Sequence, residues 1–177
     1  AHHVSDTAPS AAVLDRLVHA YGANRDLAAL FTAMFTDPAF AAAQGTLVIG
    51  PVEWLVGVVR TLRVPVKTDA DAANLLRVLR SMGQLPFYPP SVGGWPSGQA
   101  WLSTATVDLR LQAATALARA GDLSALDGSA PSRVDAVAHL LGIESWSPRS
   151  SAVLRAAAGN PQVLVALAVN TPEYLTN

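Results

Sequence analysis

Four histidines are the first candidates for chemistry, because imidazole titrates near neutrality and binds metals. They are His2, His3, His19 and His139. Adjacent His2 and His3 point apart on a regular backbone, and neither His-Glu-x-x-His nor His-x-x-x-His occurs, so no metal site is legible. A fraying terminus accounts for that pair. His19 falls on the polar side of a helical pattern and His139 near an apolar stripe; structural roles are expected of both. The chain has no cysteine, which removes disulfides, thiol nucleophiles and thiolate metal sites. Ser91 and Ser97 lie near glycines, but the Gly-x-Ser-x-Gly elbow of serine hydrolases is absent and no strand pattern precedes them. Gly93-Gly94 and Gly98 match neither a phosphate loop nor a dinucleotide fingerprint, so no cofactor is expected. Glu53, Asp108 and Glu144 are isolated, and Asp69 and Asp71 fall in a first helical turn where capping explains them. No carboxylate pair stands at a spacing that argues for glycoside hydrolysis. Catalytic residues stay unassigned, and the chain reads away from an enzyme.

What remains is binding chemistry, concentrated between Gly83 and Ser103. That stretch holds Pro86, Pro89, Pro90 and Pro96, four of twelve prolines, with Trp95 and Trp101, two of four tryptophans. Proline fixes φ and biases the residue before it away from helix, so regular helix is excluded from Leu85 to Pro96. The large apolar area of Phe87, Tyr88, Trp95 and Trp101 argues for order. A long ordered loop is usually functional. The candidate binding residues are Gln84, Phe87, Tyr88, Pro89, Pro90, Gly94, Trp95, Pro96 and Trp101. Set against this is packing: aromatics fill cores more often than sites, which favours reading the loop as a plug across a helical core.

The elements that must hold this loop read as amphipathic helices. Ser10 to Tyr21 carries Val13, Leu14, Leu17, Val18 and Tyr21 in one stripe. Asn24 is the expected cap of a second helix with Leu27, Leu30, Phe31, Met34 and Phe35 inward, and Asp37-Pro38 starts a further turn bearing Phe40. Gly50-Pro51 opens a helix with Val52, Leu55, Val56, Val59 and Leu62 inward. Thr68 and Asp71 have capping-box spacing ahead of a helix that runs to Met82, with Ala72, Leu75, Leu76 and Leu79 inward. After the loop, Ser103 caps a helix to Ala120 lined by Val107, Leu111, Ala114 and Leu117. Gly121 to Ser132 reads as an exposed connection. Helices from Ser132 to Leu141, from Ser147-Pro148 to Ala158, and from Asn160-Pro161 onward complete the chain. Residues 29–40 and 163–174 echo one another: an apolar helix, a polar cap, Pro, one residue, then Phe40 or Tyr174, each expected to fold back on its helix. The expectation is an all-α fold, one helical domain over 1–177 of about eight helices with an ordered Pro/Gly/Trp-rich loop.

Composition narrows the partners. Hydrophobic residues make up 51% and charged residues 14%, with a net charge of −1, which argues against nucleic acid or a membrane surface. No run of 18 apolar residues exists, so no membrane span is expected. The chain opens Ala1-His2-His3 without methionine, as a trimmed product or the later part of a longer chain would.

The run from Met82 to Ser103 resembles the signature of a bacterial family of uncharacterised proteins, catalogued as domain of unknown function eighteen-hundred. Gly83, Gln84, Phe87, Pro89, Pro90, Val92, Gly94, Trp95, Pro96, Gly98 and Trp101 carry the likeness. His2-His-Val-Ser-Asp, Pro51-Val-Glu-Trp and Asn170-Thr-Pro-Glu-Tyr are similar to flanking stretches of the family, with His3 where Phe is usual. The likeness covers the later part of a family member. It implies a mostly helical bacterial protein, without supplying an activity, cofactor or catalytic residue. Members are often encoded beside a secreted sulfatase-like protein, which implies a protein partner and export; the N-terminal half of the longer members is the other expected partner. Two readings follow. One is a non-enzymatic interaction or scaffold module presenting Tyr88, Trp95 and Trp101 to a protein. The alternative is an accessory or catalytic domain of an exported hydrolase acting on a polymer such as polysaccharide, its tryptophans stacking on sugar rings.

Overall fold

A computed structural model describes residues 8–43 and 45–176; His2 and His3 lie outside the described residues. The fold is all-α, as expected. Among the described residues there are ten α-helices, eight of them seven residues or longer, and no strand, only isolated bridge residues such as Ser91 and Gly94. The chain forms two compact units, divided at Val48 and Ile49.

The first unit contains α1 (Ala11–Tyr21), α2 (Leu27–Thr36) and α3 (Pro38–Ala42). Ser10 caps α1 by accepting from the Val13 N–H at 3.4 Å. The cap of α2 is Asp26, not Asn24: Oδ1 of Asp26 accepts from the Ala29 N–H at 2.9 Å. The chain reverses through Arg25 at φ 54 before α2 can begin, which moves the start past Asn24. Asp37 caps α3 through the Ala39 N–H and receives Arg16 Nε at 2.9 Å and Nη2 at 2.6 Å. One carboxylate thus ties α1 to the junction of α2 and α3. Phe40 folds back on α2 as expected, its ring edge-on to Phe35 at 5.2 Å, while Phe35 stacks with Phe31 at 6.1 Å. The expected inward stripes are not covered, however. Leu14, Val18, Leu27, Phe31 and Phe35 are all exposed, and α1 to α3 contain no buried residue. Three helices this short cannot enclose an interior of their own.

The second unit contains α4 (Pro51–Thr61), α5 (Asp69–Ser81), α6 (Thr104–Ala120), α7 (Ala130–Leu141), α8 (Pro148–Ala157), α9 (Pro161–Ala168) and α10 (Pro172–Leu175). Its helix starts follow the polar caps read from sequence. Ser103, Ser147 and Asn160 each accept a backbone N–H of their first turn. Thr68 and Asp71 make both halves of the capping box. α7 begins earlier than expected, at Ala130, because Pro131 is tolerated in a first turn whose N–H groups have no helical partner anyway.

The core lies where α6 packs on α9, with Trp54, Leu55 and Val58 of α4 and Leu62 at its C-cap in the same cluster. On α6 the buried face is Arg110, Ala113, Ala114, Leu117 and Ala118, while Val107 and Leu111 of the expected stripe are exposed. Alanines on that face let α9 approach closely, so close packing and not side-chain bulk chose the orientation. On α4, Leu55 is buried as expected, as is Leu62 just after the helix, while Val56 of the expected stripe is exposed and Trp54, outside it, is buried. Val134 and Val137 of α7 are buried as expected. His19 and His139 are both exposed, so His139 is no part of the core. No helix among the described residues is long and apolar enough to cross a membrane.

The connection after α6 is mostly exposed, as expected, but is anchored to the core. Leu126 is fully buried, the Asp122 N–H donates to the Leu62 carbonyl at 2.7 Å, and Arg63 pairs with Asp122 at 3.3 Å. Nor does the second echo copy the first: Tyr174 reaches α4, where a Cβ on Gly57 would lie 3.1 Å from its hydroxyl oxygen.

Glu173 of α10 closes the N-terminus of α8. Its Oε1 accepts the Ser147 N–H at 3.0 Å and its Oε2 accepts the Ser150 hydroxyl at 2.8 Å. Burial pushes this carboxyl up. Hydrogen bonds from Ser147, its own backbone and Ser150 outweigh burial and lower it from 4.5 to about 2. A depressed carboxyl contributes stability above its unfolded value and loses it as pH falls towards the folded one. Acid titration of wild type should therefore show a loss of stability between about pH 4.5 and 2 that Glu173→Gln lacks. At pH 7 the variant should be about 1–2 kcal/mol less stable, less than full linkage because solvent reaches the carboxylate. Equal acid midpoints for the two proteins would remove Glu173 from this role.

Candidate binding loop

The loop from Gly83 to Ser103 is ordered and divides into an inner and an outer set. Gln84 belongs to the inner set. Gly50 caps α4 without a side chain, and Gln84 Oε1 supplies the missing acceptor, taking the Val52 N–H at 2.8 Å. The fit is close: a Cβ on Gly50 would lie 2.9 Å from Gln84 Oε1, so a side chain there would displace the end of Gln84. Trp101 is also inner, only 5% exposed, with its ring against Gly83 and its carbonyl accepting from Thr106 Oγ1 at 2.8 Å and Arg110 Nη1 at 2.9 Å. It sits in a 3-10 turn, Gly98–Trp101, that leads into Ser103 and α6. Trp95 is half-buried with its Nε1 enclosed and unpaired.

The outer set is Phe87, Tyr88, Pro89, Pro90 and Pro96, all exposed, together with Val92. Phe87 is 93% exposed and Tyr88 74%. A local turn fixes them: the Tyr88 N–H donates to the Leu85 carbonyl at 3.1 Å, with Pro86 second and Phe87 third. Phe87 has φ 66, the sign that a type II turn requires and that favours glycine there. A bulky side chain at positive φ costs on the order of 1–2 kcal/mol, and exposure offers no burial to offset it. Gly94, at φ 89, ends the next turn by donating to the Ser91 carbonyl at 3.1 Å.

The loop therefore brings Phe87, Tyr88, Pro89 and Pro90 together on its surface and withdraws Trp101 from it. Trp101 cannot offer a ring face to a partner or a sugar, a correction to the expectation that it would. The residue that sequence reading missed is Arg110, fully buried behind the loop. Its position three residues after Val107 and four before Ala114 was the available signal, but a mid-helix arginine reads as solvent-facing. Among the described residues no three His, Cys, Asp or Glu side chains gather as a metal-binding group. A separate cleft of about 240 Å³ between α4, α5 and α6 is walled by Leu55, Leu75, Val78, Ala113 and Leu117. Its polar members are Asp71 and Asn74, and the Asp71 carboxylate is already committed to capping α5.

Fold and loop define an all-α protein whose helical core carries one long, ordered, Pro- and aromatic-rich loop. The chain belongs to the family described as protein of unknown function (DUF1800), matched over residues 1–176. No curated protein and no solved structure matches it.

Proposed function

We propose that this protein is a non-enzymatic interaction module, and that the Phe87-Tyr88-Pro89-Pro90 edge of its loop inserts into an aromatic-lined groove of a protein partner. The observation that carries the reading is Phe87, held exposed at a backbone angle that disfavours it. Strain at an exposed apolar residue is retained where something else benefits from the conformation. The flanking prolines stiffen the segment before binding, which lowers the entropy lost on association. Such proline-bracketed segments suit grooves lined with aromatic rings. Gln84 and Trp101 serve this edge by anchoring the loop ends to α4 and α6. Trp95 adds to the underside, and Gly94 and Pro96 shape its return.

Phe87→Gly separates binding from folding. Relief of strain is offset by the greater freedom of glycine in the unfolded chain, about 0.5–1 kcal/mol, so stability should stay level or rise by up to about 1 kcal/mol. Partner affinity should fall at least about tenfold, roughly 1.4 kcal/mol. The partner can be found by photo-crosslinking in the producing cell, with benzoylphenylalanine at position 87 and, as control, at exposed Ser124. One protein captured from position 87 alone, and lost on Tyr88→Ser, is the expected result. Identical adducts from both positions, or none from 87, would dismiss the reading.

A further inference from the structure

Among the described residues, three buried side-chain polar atoms lack a hydrogen-bond partner: Trp95 Nε1, Arg110 Nε and Arg110 Nη2. All three are donors, so what is missing is an acceptor. Arg110 is 0% exposed, and a buried charge without a partner is among the costliest features a fold can hold. Arginine cannot escape by losing its proton. The described ion pairs are Arg16–Asp37 and Arg63–Asp122, and neither reaches Arg110.

The unfilled edge has a defined shape. Arg16 uses its Nε and Nη2 to hold one carboxylate, that of Asp37. Arg133 uses Nε and Nη1 on the carbonyls of Leu126 and Ala158. Arg110 has Nη1 fixed by the Trp101 carbonyl at 2.9 Å, which orients the guanidinium and leaves the enclosed Nε/Nη2 edge without an acceptor. We propose that Arg110 anchors a binding site for a small oxyanion, a carboxylate or a phosphate-type group, which its Nε/Nη2 edge receives behind the Gly98–Trp101 turn. Planar guanidinium edges match such groups with two parallel hydrogen bonds. Because Arg110 is enclosed, the anion enters only when the covering backbone opens. This site is independent of the outward Phe87 edge.

The test is thermal unfolding of the chain at constant ionic strength, with sodium chloride replaced stepwise by sodium acetate, phosphate or sulfate. Wild type should gain a saturable rise in Tm with one anion class, roughly 5 °C or more at a hundredfold excess over Kd. Arg110→Met should fold with equal or greater stability, since the charge it removes is unpaired and the Trp101 carbonyl keeps Thr106 as donor. It should show no saturable rise. Arg110→Lys keeps the charge without the fork and should respond at least tenfold more weakly. Saturation by acetate alone assigns a carboxylate; saturation by phosphate or sulfate assigns a tetrahedral anion. Equal responses from wild type and Arg110→Met, or no saturable response from wild type, overturn the proposal. Should Arg110→Met fail to fold, the Nε–H resonance of Arg110 in wild type decides: it must move on titration with the same anions, and an unmoved resonance overturns the site.

Discussion

Trp54→Ala is expected to lower the unfolding free energy of the Ile49–Thr176 unit by about 4–5 kcal/mol, most of what a domain of this size has. Two effects add. The indole is wholly enclosed, at 0% exposure, in the same buried cluster as Val58, Leu62 and the α9 residues, so its removal leaves a large cavity. Its Nε1–H also donates to the Val169 carbonyl at 2.8 Å, 115 residues away. Val169 follows the last residue of α9, where helix carbonyls lose their intrahelical donors. Removing the indole strands that oxygen in the interior, which costs about 1–3 kcal/mol by itself. Trp54→Phe keeps much of the volume and loses the bond, so about 1–2 kcal/mol is expected. Urea unfolding followed by circular dichroism measures both. A loss below about 1.5 kcal/mol for the alanine variant would show that α4 is not fastened to α9 by this residue.

Gly121→Ala should cost about 2–3 kcal/mol although it adds one methyl group. Backbone strain is not the reason, because φ is −88 and any residue adopts it. The reason is space. A Cβ would lie 2.7 Å from the Leu62 Cβ, 2.8 Å from the Leu62 carbonyl and 3.1 Å from the Leu117 carbonyl. Two of those three atoms are backbone, which cannot swing aside. The approach is imposed by the Asp122 N–H on the Leu62 carbonyl at 2.7 Å, so relief would break the bond that joins the ends of α4 and α6. Gly142→Ala is the matched control. It has φ 69 and nothing within 4 Å of the added carbon, so about 1 kcal/mol of conformational strain is expected. Thermal melts that rank Gly142→Ala above Gly121→Ala in damage would contradict the packing account.

Helix starts were the most legible part of the fold, because a cap is local chemistry. Ser103, Ser147, Asn160 and the Thr68–Asp71 box could be read from their side chains alone. Helix faces were less legible. Val107, Leu111 and Val56 look like core residues by type, yet Ala113, Arg110 and Trp54 took the interior beside the expected Ala114 and Leu117. A stripe of residue types cannot weigh close approach between helices, which favours small side chains. In the loop, composition marked an ordered, helix-free segment but not which of its side chains face outward. Proline spacing excluded helix from Leu85 to Pro96, whereas the turn at Leu85–Tyr88 and its positive φ at Phe87, against the preference of that residue type, were not legible. Gln84 and Arg110 act on partners 32 and nine residues away, and no local pattern announces either bond.

All four tryptophans, Trp54, Trp95, Trp101 and Trp146, belong to the unit that begins at Ile49, and the aromatic residues of α1 to α3 are Tyr21, Phe31, Phe35 and Phe40. Indole emission excited at the red edge of the absorption band is therefore silent about the first unit, while far-ultraviolet ellipticity records the helices of both. Superimposable melts from the two signals would mean one cooperative transition for the whole chain. Ellipticity lost before the emission changes would isolate, without any label or truncation, the unfolding of α1 to α3.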